Sequence, residues 1–285
     1  MKVPELFQKG EPTLSFEFFP PKTPEQEERL FSTLKALQRF DPDFVSVTYG
    51  AMGRSREMSF TWVDRIKRQY AIEPVAHLTC VNAGRDDIAR QLDEFDRLGV
   101  TNILALRGDP PEGEKDFTPP ADGFKLAKEL VAFIKQRKPH FTVGVAGFPE
   151  GHPRSASLDA DVDYLKQKIA AGAEYVITQL FFDNQHYFAF LKRCRQAGIT
   201  VPIVPGLMPI TNLGQIKKMT AMSGASIPPE LLARLEKNPM ETLKIGGQHT
   251  VAQAHGLLTA GVPGLHFFVL NQAEPISTIL SQLNS

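Results

Sequence analysis

Glu17 is the residue around which chemistry would gather. It lies among Phe16, Phe18 and Phe19, and Pro20 and Pro21 follow at once. Pointed inward, a carboxyl group in such apolar surroundings is pushed toward its protonated form by the loss of water, and a carboxyl protonated near neutral pH is what a general acid needs. Pointed outward, it is the polar member of an alternating strand. Other polar groups recur after short apolar runs: Thr48-Tyr49, His77, Arg107-Gly108-Asp109, the turn of Phe148, Glu150 and His152, then Gln179, and Asn271-Gln272. Each also has a plain structural reading. Arg107 and Asp109 can pair across a turn, His77 can be a satisfied core histidine, Gln179 can tie down a loop, His152 can brace its own, and Asp161 and Lys168 can sit on a solvated helix face. The seven histidines make no H-E-x-x-H and the two cysteines no C-x-x-C, and neither a nucleophile elbow nor a P-loop occurs, so no metal is expected. Gly144 and Gly147 are a weak echo of a phosphate loop at best.

The elements that must position these groups alternate regularly. Strands are expected at 14–18, 44–48, 74–78, 102–106, 142–146, 175–179, from 203 to about 206, and at 265–270. Helices are expected at 24–40, about 60–70, 86–98, 124–137, 160–171, 186–197, 212–222, 228–235, 240–260 and 275–283. Thr23 before Pro24 is an N-cap followed by a proline at the first helical position. Eight strand–helix units point to an α/β fold, a (β/α)8 TIM-type barrel spanning residues 1–285 as a single catalytic domain. A doubly wound sheet would announce itself by G-x-G-x-x-G after the first strand, and none follows Phe18. In a barrel the active site lies at the C-terminal strand ends, where all these polar groups fall.

Composition narrows the function. Lys+Arg and Asp+Glu are both 32, so the net charge is zero, which argues against a nucleic-acid or anionic-membrane surface. Cys80 and Cys194 imply no disulfide framework, the N-terminus lacks an apolar signal core, and no apolar run is long enough to span a bilayer. A cytoplasmic location is expected.

The motifs SFEFFPPK at 15–22, FVSVTYG at 44–50, AHLTC at 76–80, LALRGD at 104–109, FPEGHP at 148–153, AGAEYVITQLFF at 171–182 and LHFFVLN at 265–271 resemble those of bacterial methylenetetrahydrofolate reductase, in family order and over nearly the whole chain. The resemblance implies an FAD-dependent oxidoreductase of one-carbon metabolism and methionine biosynthesis. NAD(P)H reduces the flavin and leaves. 5,10-methylenetetrahydrofolate then takes its place, opens to an iminium cation and is reduced to 5-methyltetrahydrofolate. Glu17 matches the family's general acid, and Asp109 the carboxylate beside flavin and pterin, where a negative charge would stabilise the cation. Gln179 and Gln215 match substrate contacts. Thr48, Tyr49, Ala51, His77, Arg107, Gly108, Asp109, Ala121, Phe148, His152, Asp161 and Lys168 match flavin positions. Arg107, His152 and Lys168 suit the anionic pyrophosphate or reduced flavin.

The chain departs from the family pattern at several points. The 51–54 segment replaces a smaller, glycine-rich loop, and Met58 stands where a polar or basic residue is common. Phe148 replaces a usual tyrosine, at a net cost of about 1 kcal/mol for one hydroxyl hydrogen bond. Gln272 stands where an arginine often helps hold the folate's carboxylate end, and Met219 where an aromatic can stack on the substrate. The animal enzymes' regulatory domain has no counterpart in these residues, so no adenosylmethionine control is expected. A homo-oligomer is expected. The rival readings are a pterin-binding methyltransferase barrel without flavin, a folate- or flavin-binding protein that has lost turnover, and a family member with another hydride donor.

Overall fold

Residues 1–48, 53–109 and 117–283 are described by the computed structural model. Eight parallel strands close into a barrel in sequence order: β1 (Thr13–Phe18), β2 (Phe44–Val47), β3 (Glu73–Thr79), β4 (Asn102–Leu106), β5 (Thr142–Gly147), β6 (Tyr175–Leu180), β7 (Ile203–Leu207) and β8 (Gly264–Phe268). β8 pairs back onto β1, with Glu17 in register with Phe268 on one side and Ser46 of β2 on the other. The expected (β/α)8 barrel is therefore the fold.

The helices are α1 (Val3–Leu6), α2 (Pro24–Leu37), α3 (Gly53–Tyr70), α4 (Arg85–Arg97), α5 (Ala127–Arg137), α6 (Leu158–Ala170), α7 (Asn184–Gln196), α8 (Leu213–Ser223), α9 (Pro229–Lys237), α10 (Thr242–Thr259) and α11 (Ala273–Leu283). Four of them start at the rim on a side-chain cap: Thr23, Ser157, Asp183 and Asn212 accept the backbone N–H of Gln26, Ala160, Gln185 and Gln215. Phe16 and Phe18 face the helix layer with Leu30, Phe31, Leu34 and Leu37 of α2 in the main core.

The connection from β7 to β8 carries three helices. Leu180, Phe182, Met208, Ile216, Leu231, Leu235 and Phe268 form a second core beneath them, with Met219 packed against it. At the opposite end of the barrel α1 is a plug. Val3 and Leu6 are buried with Phe44, Val75, Leu104, Tyr175 and Ile177, and Val3 N–H donates to Asn102 Oδ1 at 3.0 Å.

Several boundaries differ from the sequence expectation for local reasons. α3 begins at Gly53 rather than near Phe60, because the intervening residues include good helix formers and no proline. Residues 38–40 and 239–241 tighten into 3-10 turns, which shortens α2 and delays α10. β8 ends at Phe268 because Leu270 and Asn271 take left-handed φ values of 53° and 54°. The four-residue α1 shows no helical periodicity from which it could be read. Gly144 makes room for a side chain and cradles no phosphate: a Cβ there would lie 2.3 Å from the ring of Tyr175, which fills the barrel lumen.

Candidate active site

Glu17 points into the lumen. Its alternation partner Ser15 does the same, and both faces of a barrel strand are buried, so the outward, solvated reading does not apply. Glu17 is 8% exposed. Thr48 Oγ1 donates to its Oε1 at 3.0 Å and Ser46 Oγ to its Oε2 at 3.3 Å. The imidazoles of His77 on β3 and His266 on β8 each bring Nε2 to 3.4 Å of Oε2. The His266 contact is aligned as a hydrogen bond. The His77 contact is not, and neither ring nitrogen of that buried side chain has a hydrogen-bond partner, so His77 acts on Glu17 by charge proximity.

These neighbours reverse one expectation. Burial pushes the Glu17 carboxyl up, as its aromatic setting suggests, but the combined pull of His77 and His266 leaves it well below the usual carboxylate range. Ser15 fixes the histidine side of the cluster. Its Oγ lies 2.9 Å from His266 Nδ1 and 3.3 Å from the Leu265 carbonyl. A hydroxyl that donates to Leu265 must accept from Nδ1–H. His266 Nε2 is then the ring nitrogen that faces Glu17 Oε2. Ser15, Ser46 and His266 are the members that sequence reasoning did not single out. Their signal is the period-two alternation of Ser15 with Glu17, and of His266 within the 265–271 motif.

A cationic cluster gathers at the end of β5. Lys168 of α6, 5% exposed, donates from Nζ to the Ala146 carbonyl at 2.6 Å. Burial lowers its pKa to about 8, against the opposing charge of Asp161. Asp161 is itself buried, and desolvation raises its carboxyl while Lys168 and the His152 backbone hold it down. His152, packed edge-on against Phe148 at 4.7 Å between centroids, is lowered by burial first, then by the nearby charges of Arg154, Lys168 and Arg107, with Asp109 opposing. The guanidinium of Arg107 stacks over Phe117 at 4.5 Å. Asp161 and Lys168 are thus buried and belong to no solvated helix face.

The remaining expected positions spread around the same rim. Gly108 and Asp109 follow β4, Asp109 exposed. Gln179, the last residue but one of β6, is half-buried, its Oε1 taken by Leu180 N–H at 2.9 Å, so the NH2 end is what it can offer a ligand. Gln215 is exposed in the first turn of α8, and Gln272 and Ala121 are exposed on their loops. Tyr49 and Ala51 lie outside the described residues, as do Gly50 and Met52. A groove of about 530 Å³ between α2 and α11, lined by Lys35, Arg39 and Glu274, lies on the flank and contains none of these groups. Among the described residues no helix is long and apolar enough to cross a membrane, and no group of three or more acidic, histidine or cysteine side chains could hold a metal.

A buried carboxylate between imidazoles in the lumen of a (β/α)8 barrel, with buried and half-buried cations around His152 at the end of β5, is the arrangement of an enzyme barrel that carries an acid–base group. The family described as methylenetetrahydrofolate reductase matches residues 2–284. The 5,10-methylenetetrahydrofolate reductase of Salmonella typhimurium is 38% identical over 268 residues, 93% of this chain and 88% of that protein. The Escherichia coli K12 protein of the same name is 37% identical with the same coverage. The probable methylenetetrahydrofolate reductase (NADH) of Oryza sativa subsp. japonica is 38% identical over 99% of this chain but 50% of its own length, so the chain spans about half of that relative. Among solved structures, an uncharacterized protein from Clostridium thermocellum, described as binding two copies of 5-methyl-5,6,7,8-tetrahydrofolic acid, superposes with a TM-score of 0.62 at 18% identity, covering 98% of this chain and 96% of that one, a likeness of fold alone. The chain belongs to the methylenetetrahydrofolate reductase family.

Proposed function

We propose that this chain reduces 5,10-methylenetetrahydrofolate to 5-methyltetrahydrofolate with electrons from NAD(P)H, using FAD bound at the C-terminal rim. The observation that carries the reading is the match over residues 2–284, within which Glu17 sits buried and hydrogen-bonded in the lumen. The residues present fit the cofactor: a cationic surplus around His152 suits a pyrophosphate, and His77 keeps two buried ring nitrogens without partners. FAD supplies hydride transfer between the nicotinamide and the folate carbon. Arg107, His152 and Lys168 hold its anionic part. Thr48, His77, Gly108, Ala121, Phe148 and Asp161 would complete its surroundings, with Tyr49 and Ala51 assigned to it by the family resemblance alone.

Glu17 supplies the proton that opens the folate's five-membered ring. Its lowered pKa means that the carboxylate is anionic at rest, so the proton reaches it from the groups it touches, His266 Nε2 being the aligned one. Asp109 stabilises the iminium cation, and Gln179 and Gln215 orient the substrate. The family match over residues 2–284 and the 38% identity to a bacterial reductase favour the reductase reading over a pterin-binding methyltransferase.

Anaerobic spectra test it. The yellow protein should bleach with NADH and recover with methylenetetrahydrofolate. Glu17→Gln should keep the first step and slow the second by at least about a hundredfold, the usual scale for a positioned acid. Protein that stays colourless after added FAD overturns the flavoenzyme reading. Equal loss of both half-reactions removes Glu17 from the acid role.

A further inference from the structure

We infer that Glu150 is a positioning residue that locks the substrate helix α8 onto the cofactor loop, an inference that rests on the reading above. Glu150 lies in the turn after β5, between Phe148 and His152, which the reading assigns to the cofactor. Its carboxylate does not face the cofactor cluster. It reaches across the rim to the segment following α8, where both oxygens accept Ser226 N–H at 3.1 Å and Oε2 also accepts the Ser226 hydroxyl. A third segment joins the same oxygen: His186, in the first turn of α7, brings Nε2 to 3.5 Å of Oε2. The Glu150 side chain is itself 12% exposed, while Ser226 is exposed and His186 is partly so.

Packing reinforces the link. α8 ends on Gly224, whose φ of 78° places it in the left-handed region. A Cβ at Gly224 would lie 3.1 Å from Pro153, so the end of α8 rests directly on the turn that Glu150 belongs to. α8 carries Gln215 and Met219, and α7 follows the loop from Gln179. One carboxylate therefore joins the strand-five loop, which holds cofactor groups, to the two segments that present substrate groups. Bonds from a backbone N–H and a hydroxyl to a charged acceptor are stronger than neutral ones and directional, so they set the distance between the two halves of the site. Glu150 touches neither cofactor nor substrate positions itself. Its effect is on how tightly folate is held once the donor has left.

The test begins with the unaltered protein, whose two half-reactions establish the underlying reading on their own. Glu150→Ala should raise KM for methylenetetrahydrofolate by about tenfold, the scale of one lost charge-assisted hydrogen bond, while flavin content and reduction by NADH stay within about twofold. Glu150→Gln, which keeps an acceptor for Ser226, should restore most of the loss, and Ser226→Ala should show a smaller effect in the same direction. Backbone hydrogen exchange across residues 212–226 should quicken in Glu150→Ala and return toward normal in Glu150→Gln. A folate KM unchanged in Glu150→Ala overturns the inference. So does a parallel fall of both half-reactions with loss of flavin, or a failure of Glu150→Gln to rescue. If the unaltered protein bleaches but does not react with folate, the functional reading fails, and unchanged exchange at 212–226 then separately overturns the clamp.

Discussion

Glu17 and Lys168 are opposite charges buried on one rim, and their environments work in opposite ways. Around Glu17 two imidazoles more than offset desolvation, so the carboxylate is stable as an anion. Around Lys168 desolvation wins, and the pKa falls to about 8 despite Asp161. A lysine held in this state is primed for an anion, whose charge favours the ammonium form and raises the pKa again. Binding of a pyrophosphate-bearing cofactor should therefore draw in a proton at pH about 9, where the free protein's Lys168 is largely neutral. Calorimetry in buffers of differing ionisation enthalpy measures that uptake directly. Lys168→Met should abolish it, whereas equal uptake in both proteins would place the cofactor's charge away from Lys168. His266 gives a second prediction at this scale. His266→Phe removes the aligned donor to Glu17 and the partner of Ser15, so folate reduction should fall by about tenfold or more, with NADH oxidation by the flavin preserved. Loss of flavin from that variant would show His266 to be structural instead.

At the scale of elements, the barrel separates stability from chemistry. Glu17, His77 and the cationic cluster lie at the C-terminal strand ends, while α1 seals the other end with Val3 and Leu6 buried against lumen residues. Leu6→Ala should cost about 3 kcal/mol of stability, as buried leucine truncations do, and leave both half-reactions of the folded protein unchanged. Urea unfolding beside stopped-flow rates would decide it, and a slowed folate step would mean that the plug reaches the chemistry. The plug was not legible in the sequence, because four residues are too few to show a period. The eight strands were legible because apolar runs flanked by Gly, Pro and polar residues recur at each β-to-α passage, and β7 needed only Ile203-Val204 before its Pro205-Gly206. Glu17, His77, Arg107 and Gln179 could be placed on one rim for the same reason. The polarity of the lumen was less legible. Ser15, Ser46 and His266 come together through closure of β8 onto β1, a contact more than 240 residues apart in sequence that no local pattern announces. That is why burial alone suggested a protonated Glu17 and the structure gives an anionic one.

For the whole molecule, the balance of 32 basic and 32 acidic side chains hides an uneven response to acid. Asp93, Glu94 and Asp96 have lowered pKa values through hydrogen bonds with Arg137 and Lys138, with Arg97, and with Lys138 and His140 respectively, but they are exposed, and salt screens such pairs. Asp161 is raised above 3.8 by burial, so its contribution to stability is complete below that value and is lost as pH rises through its folded-state pKa. Glu17 has the opposite sign. Its folded-state pKa lies below the usual 4.5, so the stability it contributes is present above 4.5 and is lost as pH falls below it. In high salt the acid limb of the stability curve should thus be carried by Glu17 together with His152 and His249, whose pKa values burial lowers, each linked proton adding a slope of up to about 1.4 kcal/mol per pH unit. Urea midpoints measured from pH 6 down to pH 3 in high salt should fall steeply for the unaltered protein. Glu17→Gln should start lower, because Ser46, Thr48 and His266 lose a charged acceptor, yet decline with a visibly shallower slope. Parallel slopes would mean that the proton taken up on acid unfolding goes elsewhere, and that the Glu17 anion is not what the lumen of this barrel is built to hold.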